Sequence, residues 1–260
     1  MILVTGSNGF IGSNFLKTVT EPTYLISDHY FYLPNVPWED ITKVYHFGAI
    51  SSTTETNVGL IHRANILFTV DLFAYCAEYN IPIVYASSAS VYGNSSDYQI
   101  NPLNFYALSK ATIDYKVAEM IDNKGLNAVG LRFYNVYGDG EDHKGPQAST
   151  VYQFTKQSKE DGVIKVYKGS DKIYRDFVWV GDVVECINTS MPSGIYDVGT
   201  SAPISFMNIA EAVAEKYNAD IKEVPFPSYL EGKYQRYTCA QKHFDKEFIS
   251  VRDYLSPNQS

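Results

Sequence analysis

The start of the chain admits few folds. An apolar run, Ile2-Leu3-Val4-Thr5, passes directly into Gly6-Ser-Asn-Gly9-Phe-Ile-Gly12 and then into Ser13-Asn14-Phe15-Leu16-Lys17. The pattern predicts a strand, a glycine-rich turn and an opening helix. At this spacing the first glycine permits a tight turn. The second lets backbone N–H groups approach a pyrophosphate, and the third lets helix and strand pack closely. Further on, Tyr24-Leu25-Ile26-Ser27 reads as a second strand ending in Asp28, an acid placed to accept the ribose hydroxyls of an adenosine. Together these segments predict a dinucleotide-binding unit, with Gly6, Gly9, Gly12 and Asp28 as its first contacts.

Strands and helices then alternate in the manner of an α/β fold with a parallel sheet. Lys43-Val-Tyr-His-Phe47 reads as a strand, residues 63–79 as a helix, and Ile81-Pro-Ile-Val-Tyr85 as the next strand. A helix from Tyr106 to about Asn123 and a strand over Asn127-Ala-Val-Gly-Leu-Arg-Phe133 follow. Beyond Tyr134 the apolar pieces shorten, at 163–167, 176–180 and 194–198, with one amphipathic helix over 205–217. We therefore expect a Rossmann doubly wound parallel sheet over residues 1–135 and a smaller α/β substrate-binding region over 136–260. About 174–190 is expected to return to the Rossmann sheet.

Composition limits the function classes. The chain has 260 residues, 45% hydrophobic and 19% charged, enough for one large or two small domains. No apolar run approaches the roughly 18 residues a membrane span needs, and no signal-like stretch precedes the first strand, so a cytoplasmic protein with no membrane partner is expected. A net charge of −8 argues against nucleic acid. It also means that an anionic substrate must be drawn by local cations rather than by the whole field. Cys76, Cys186 and Cys239 are isolated and lack metal-ligand spacing, so buried thiols, no disulfide and no metal are expected.

The chemistry is announced by Tyr106-Ala-Leu-Ser-Lys110. A phenol has a reference pKa of about 10 and is a poor base at neutral pH unless an ammonium favours the phenolate. On a helix the i,i+4 spacing puts both side chains on one face. Tyr106 can then take or return a proton while Lys110 holds a cofactor ribose. By itself a Tyr-x-x-x-Lys pair is weak, because the chain has 22 tyrosines. Downstream of a dinucleotide loop it points to redox chemistry on a hydroxyl. His46 and His143 read as structural residues, Tyr134 and Tyr137 as core or pocket wall, and Ser51, Ser52 and Thr53 as possible caps of the next helix.

With these motifs in order, the chain resembles the extended short-chain dehydrogenase/reductases, the nucleotide-sugar epimerase and dehydratase family, nearly end to end. Ala86-Ser87-Ser88-Ala89-Ser90-Val91-Tyr92-Gly93 resembles the catalytic-serine segment and selects Ser88, whose hydroxyl would steady charge on the reacting oxygen. Arg132-Phe-Tyr-Asn-Val-Tyr-Gly138 and Arg175-Asp-Phe-Val-Trp-Val-Gly-Asp182 resemble two further blocks. The resemblance implies cofactor contacts at Phe10, Ile11, His29, Phe47, Gly48, Ala49, Ser51, Asn65 and Val136, besides Lys110. It implies substrate contacts at Asn135, Gln153, Tyr167, Ser170 and Tyr234, with Arg175 on the nucleotide diphosphate.

Three segments resemble the branch that epimerises an ADP-heptose at C6: Gly48-Ala-Ile-Ser-Ser-Thr-Thr-Glu55, Asp142-His-Lys-Gly145 with Ala148-Ser149, and Val224-Pro-Phe-Pro227 with Gly232-Lys-Tyr-Gln235. In that branch the lysine matching Lys144 is the second acid/base partner of the tyrosine. The resemblance thus implies an ADP-sugar substrate, a tightly bound NADP or NAD, a homo-oligomer, and a product destined for lipopolysaccharide or a similar glycan.

The departures from the family pattern are also informative. Between Asp28 and Lys43 the chain is too short for the strand and helix the family places there. One βα unit is therefore expected to be missing, leaving the strand at 24–27 on the sheet edge. The same segment has no Lys or Arg, which by charge favours NAD, whereas the branch implies NADP. Pro146 and Gln153 replace polar contacts of other types, and the C-terminal end looks clipped. A 4,6-dehydratase would carry an acidic pair where Asn94-Ser-Ser-Asp97 offers one acid. Another nucleotide-sugar epimerase of the family and a non-catalytic dinucleotide-binding scaffold are the remaining alternatives.

Overall fold

The computed structural model describes residues 1–27, 32–228 and 234–256. In its first part strands and helices alternate: β1 (Ile2–Thr5), α1 (Phe10–Leu16), β2 (Thr23–Ile26) and β3 (Lys43–His46). A continuous helix follows in three parts, α2 (Val58–Ile61), a π-helical segment (His62–Leu67) and α3 (Phe68–Glu78). Then come β4 (Ile83–Ser88), α4 (Phe105–Lys124) and β5 (Ala128–Phe133). Neighbours β1 and β2, β1 and β3, β3 and β4, and β4 and β5 all pair in parallel. With β10 (Gly194–Val198) the six-stranded sheet has the order β10-β5-β4-β3-β1-β2. This is the Rossmann-type sheet that the alternation predicts. Strands covered on both faces read as unbroken apolar runs, and all four residues of β1 are buried.

The chain divides into two units, Met1–Phe133 with Ile187–Tyr196, and Tyr134–Cys186 with Asp197–Ser260. The returning segment thus lies at 187–196, against the 174–190 read from the sequence. Residues 174–179 form β8 (Tyr174–Arg175) and β9 (Phe177–Trp179), which pair with β11 (Ile204–Ser205) and β6 (Asn135–Tyr137) inside the second unit. Strands of two or three residues are satisfied by such local partners. The strand that joins the large sheet is β10.

The expected gap in the first unit is real, and aromatic packing fills it. Between β2 and β3 the described residues form only two single 3-10 turns, Leu33–Asn35 and Trp38–Asp40. Leu33, Val36, Trp38 and Ile41 are buried in one cluster with Leu3, Val44, Leu72 and Phe73. The Trp38 ring stacks on Tyr75 with centroids 4.8 Å apart, and its Nε1 donates to Leu33 O at 2.9 Å. A short apolar strap thereby covers the core where a crossover would otherwise lie. As expected, β2 is the edge strand, with Leu25 exposed.

The second unit has its own core of Tyr137, Phe154, Ile164, Phe177, Ile209 and Val213. Helices α5 (Thr150–Asp161) and α7 (Phe206–Tyr217) pack against β7 (Val163–Tyr167), which pairs in parallel with β12 (Asp220–Val224). Both helices are capped by serine: the side chains of Ser149 and Ser205 accept from the backbone N–H groups of Tyr152 and Asn208. α6 (Val180–Asn188) starts where the sequence pattern placed the end of a strand, and α8 (Val251–Leu255) closes the described chain. Cys76 and Cys186 are buried free thiols, as expected, whereas Cys239 is only half-buried.

Candidate active site

The glycine loop is held by close backbone contacts. Gly6 has φ +70°, and a Cβ there would lie 2.5 Å from Gly48 N. A Cβ on Gly12 would collide with Gly6 O, so both positions require glycine. Gly9 N donates to Gly6 O at 3.0 Å, Gly6 N to Ile26 O at 3.1 Å, and Phe47 N to Thr5 O at 3.1 Å. The loops after β1 and β3 are therefore stitched side by side. Between them lies a cavity of about 270 Å³ lined by Gly6, Asn8, Gly9, Ile26, Phe47 and Ala49. A glycine turn that excludes side chains and an adjoining cavity at the carboxyl ends of the strands fit a dinucleotide. Asp28 and His29, read as ribose contacts, lie outside the described residues, as do Gly232 and Lys233.

Two buried polar groups brace this cradle. His46 is 2% exposed; its Nδ1 lies 2.6 Å from Thr5 Oγ1 and its Nε2 2.8 Å from Thr69 Oγ1. Burial, helped by the charge of Lys110, pulls the imidazole down to about 3, so His46 is a neutral structural group as the sequence reading held. Asn65, in the π segment, donates to Ile50 O and Ser109 Oγ, both at 3.0 Å, and accepts from Ile50 N at 2.8 Å. Its amide protons are thus spent inside the protein. Through Ile50 it holds the loop at 48–51. That loop does not cap the next helix: the N-cap of α2 is Asn57, not Ser51, Ser52 or Thr53.

Ser88, Tyr106 and Lys110 are brought together by β4 and α4. Asn104 caps α4, its side chain accepting from Ala107 N at 2.9 Å, so Tyr106 stands in the first turn. The Ser88 and Tyr106 side chains are hydrogen-bonded. Ser88 Oγ also accepts from Ser90 N at 3.2 Å. Lys110 is 3% exposed and its Nζ donates to Ala86 O at 2.7 Å. Burial lowers the ammonium to about 8, opposed by the charge of Asp114.

Sequence reasoning expected Lys110 to favour the phenolate of Tyr106, but Lys110 Nζ stands 6.0 Å from the centre of that ring. Burial raises Tyr106 above the ordinary phenol value, the Ser88 bond pulling the other way and Asp114 adding to the rise. In this state Tyr106 is a phenol at neutral pH.

The other site residues read from the sequence lie in the second unit. Asn135 and Val136 are on β6, with Asn135 N donating to Asp176 O at 3.0 Å. Lys144 sits in a 3-10 segment, Asp142–Gln147, and its Nζ is 3.1 Å from Glu141 Oε2. Glu141 is buried and also accepts from Gly138 N, Ser149 N and Ser149 Oγ. Gln153 Nε2 donates to Gly145 O at 2.7 Å, tying α5 to the same loop.

Arg175 and Ser170 are buried. The Arg175 guanidinium lies 5.1 Å from the Tyr234 ring and hydrogen-bonds its hydroxyl, while Tyr234 and Tyr167 both pack on Phe226. Burial pulls Arg175 down to about 10, leaving it charged at neutral pH. No carboxylate pairs with it among the described residues. An unneutralised buried cation beside aromatic rings suits a phosphate.

Of the buried acids that escaped the sequence reading, three hold networks near the site residues named above. Asp114 accepts from Tyr85, Ser87 and Arg132. Asp176 accepts from the N–H groups of Thr200, Ser201 and Ala240, and Glu141 anchors the Lys144 loop. The only signal for Asp114 was its i,i+4 spacing from Lys110; the partners of Asp176 are distant in sequence, whereas those of Glu141 lie in its own loop and at the cap of α5.

Fold and site together define a class: a parallel α/β sheet whose carboxyl edge carries a glycine turn fitted to a dinucleotide beside a serine, a tyrosine and a lysine. The sequence narrows it. The profile of the NAD dependent epimerase/dehydratase family matches residues 36–199, and the chain belongs to this family. A protein from Alkalilimnicola ehrlichii named ADP-L-glycero-D-manno-heptose-6-epimerase is 34% identical over 286 residues, covering 92% of this chain and 88% of its own.

Among solved structures, the ADP-L-glycero-D-manno-heptose-6-epimerase of Helicobacter pylori superposes with a TM-score of 0.84 at 24% identity, over 98% of this chain and 93% of that one. The UDP-glucose 4-epimerase of Thermus thermophilus, solved with NAD, gives 0.76 at 25% identity over 92% and 90%. Among the described residues no helix is long and apolar enough to cross a membrane, and no cluster of His, Cys, Asp and Glu is suited to a metal.

The bracing role of His46 is directly testable. Its ring stays neutral as pH falls below the usual histidine value of 6.5, towards about 3. Because the unfolded chain binds that proton first, folding stability falls as pH drops through this window. In a histidine-resolved NMR titration from pH 8 to 5, the His46 signals should not move; a midpoint near 6.5 would refute the assignment.

Proposed function

We propose that the protein is a nucleotide-sugar epimerase that inverts C6 of an ADP-activated heptose, converting the D-glycero to the L-glycero form through a 6-keto sugar. The observation that carries this reading is the 34% identity, across nearly the whole chain, to a heptose 6-epimerase. It is joined by a Ser–Tyr–Lys constellation at the end of β4. The dinucleotide, when bound, supplies a hydride acceptor that becomes the donor for the return step, so there is no net oxidation.

The chain's own residues handle the oxygen. One of Tyr106, as phenolate, and Lys144, as neutral amine, takes the proton of the C6 hydroxyl, and the other returns one as the ketone is reduced from its other face. Ser88 donates to that oxygen as charge develops on it. Lys110, fixed at Ala86 O, offers its remaining protons to the cofactor ribose. Lys144, oriented by buried Glu141, is the second acid/base group that a reaction on two faces of one carbon uses. Arg175, Tyr234 and Tyr167 hold the nucleotide diphosphate, with Asn135, Gln153 and Ser170 towards the sugar. Gly6, Gly9, Phe10, Ile11, Gly12, Phe47, Gly48, Ala49, Ser51 and Val136 line the dinucleotide side, and Asp28 binds its ribose. With no Lys or Arg between Asp28 and Lys43, NAD is favoured over NADP.

The active species is a homo-oligomer. Phe105, Leu108 and Tyr115 are about half-exposed or more and share one face of α4, with Leu67 exposed on the preceding helix. An apolar face of this kind fits a second copy of the chain.

Incubation with ADP-D-glycero-β-D-manno-heptose and either NAD or NADP should yield the L-glycero epimer by NMR, faster with NAD. Tyr106→Phe should lower kcat by a factor of about 100 or more, the usual scale for a general acid–base. Dinucleotide binding without any epimer would exclude the heptose assignment. In sedimentation velocity, Tyr115→Glu should shift the protein towards monomer; an unchanged distribution would place the interface elsewhere.

A further inference from the structure

We propose that Asp114 is a positioning residue for this reaction: by bonding the end of β4 to α4 and to β5, it sets the geometry between Ser88 and the Tyr106–Lys110 pair. The inference rests on the reading of Ser88, Tyr106 and Lys110 as the working residues.

The juxtaposition is regular. Tyr106, Lys110 and Asp114 recur every four residues on α4 and so form one stripe along it. The last residues of β4 meet this stripe in turn. Tyr85 OH donates to Asp114 Oδ1 at 2.9 Å, Lys110 Nζ donates to Ala86 O at 2.7 Å, Ser87 Oγ donates to Asp114 Oδ2 at 2.9 Å, and Ser88 bonds Tyr106. From β5, Arg132 Nε donates to Asp114 Oδ2 at 2.8 Å. The other arm of Arg132 donates to Tyr92 OH at 2.8 Å, at the end of the 3-10 turn that follows Ser88. Asp114 is 3% exposed, so its carboxylate is committed wholly to these three donors. Two of the three β4 and β5 side chains it receives are neutral hydroxyls. Either could be replaced by apolar contact if only packing mattered.

The same carboxylate also works at a distance. Its charge favours the ammonium of Lys110 against burial and disfavours the phenolate of Tyr106. The other groups packed around the stripe are Tyr85 on β4, Arg132 on β5, Tyr92 in the 3-10 turn and neutral His46 on β3. His62 and Arg63 of the π segment and Asp71 and Glu78 of α3 are exposed. Asp114 is thus the one buried anion among the described groups facing the pair, with Arg132 its counter-charge. A residue that held only the fold would not move the protonation of Lys110 or Tyr106.

The test compares wild type, Asp114→Asn, Asp114→Glu and Ser87→Ala as full-length protein. In Asp114→Asn the loss of the anion should lower the Lys110 midpoint below about 8 in an NMR titration of the lysine Nζ, a readout that needs no substrate. In the epimerase assay, kcat should fall at least tenfold with KM changed less than threefold. The acidic limb of the kcat profile should move to lower pH, because the anion that disfavours the Tyr106 phenolate is gone. Asp114→Glu should recover part of kcat.

Ser87→Ala removes a single bond and keeps the ion pair, so it serves if Asp114→Asn does not fold; kcat should drop severalfold without a shift in the pH profile. Wild-type kcat in Ser87→Ala, or a folded Asp114→Asn with wild-type kcat and an unmoved Lys110 midpoint, would overturn the proposal. Inactive wild type with a shifted Lys110 midpoint would instead count against the heptose reading and leave the positioning role standing.

Discussion

The site depends on one constraint: polar groups buried where a parallel strand ends must find partners there. At the end of β4 the partners are successive turns of α4. Ala86 O takes the Lys110 ammonium, Ser87 Oγ reaches Asp114, and Ser88 meets Tyr106. Satisfying those groups fixes the helix along the strand, and fixing the helix places a serine, a phenol and an ammonium within one small volume. The cradle for the dinucleotide follows the same logic one and two strands over, where Thr5, His46 and Thr69 pair among themselves and Gly6 and Gly12 leave no room for side chains. Rigid elements thus carry Ser88, Tyr106 and Lys110, the arrangement in which catalytic geometry is best held.

Electrostatically the protein stands ready for anions that it does not itself supply. Its net charge of −8 repels a nucleotide sugar at long range. Locally, Arg175 is buried beside Tyr234 with no described carboxylate, and the Lys110 ammonium is held down at about 8 by burial. Both are costly in the free protein and are relieved by phosphate or ribose oxygens. Tyr106 is likewise held as a phenol, its bond to Ser88 already set in the direction that favours ionisation.

Local patterns made much of this legible. The strand, glycine loop and helix at residues 2–17 are contiguous, and the tight packing at Gly6 and Gly12 leaves its mark in the residue type. The shortness of the segment between Asp28 and Lys43 was enough to place β2 at the sheet edge. The i,i+4 spacing of Tyr106 and Lys110 gave their common face, but not that Lys110 would turn to Ala86 O instead of the phenol. That choice depends on a carbonyl contributed by another strand.

What stayed hidden has the same cause. The return to the large sheet was read at about 174–190, yet β8 and β9 pair with β11 and β6 inside the second unit. Asp114 and Asp176 take partners from distant segments, and a lone acid in sequence carries no sign of them. The strap around Trp38 was read only as missing structure, because a single stacked indole has no periodicity to reveal that it closes the core.

The central claim is that C6 is inverted by removing a hydride and returning the same one within the site. The most direct measurement is turnover in ordinary water of ADP-D-glycero-manno-heptose carrying deuterium at C6, with the product examined by NMR and mass spectrometry. The account predicts the L-glycero epimer with its deuterium retained. Loss of the label to solvent would contradict it, because inversion would then proceed by proton exchange at carbon and not by the redox route that Ser88, Tyr106 and the dinucleotide cradle are built to serve.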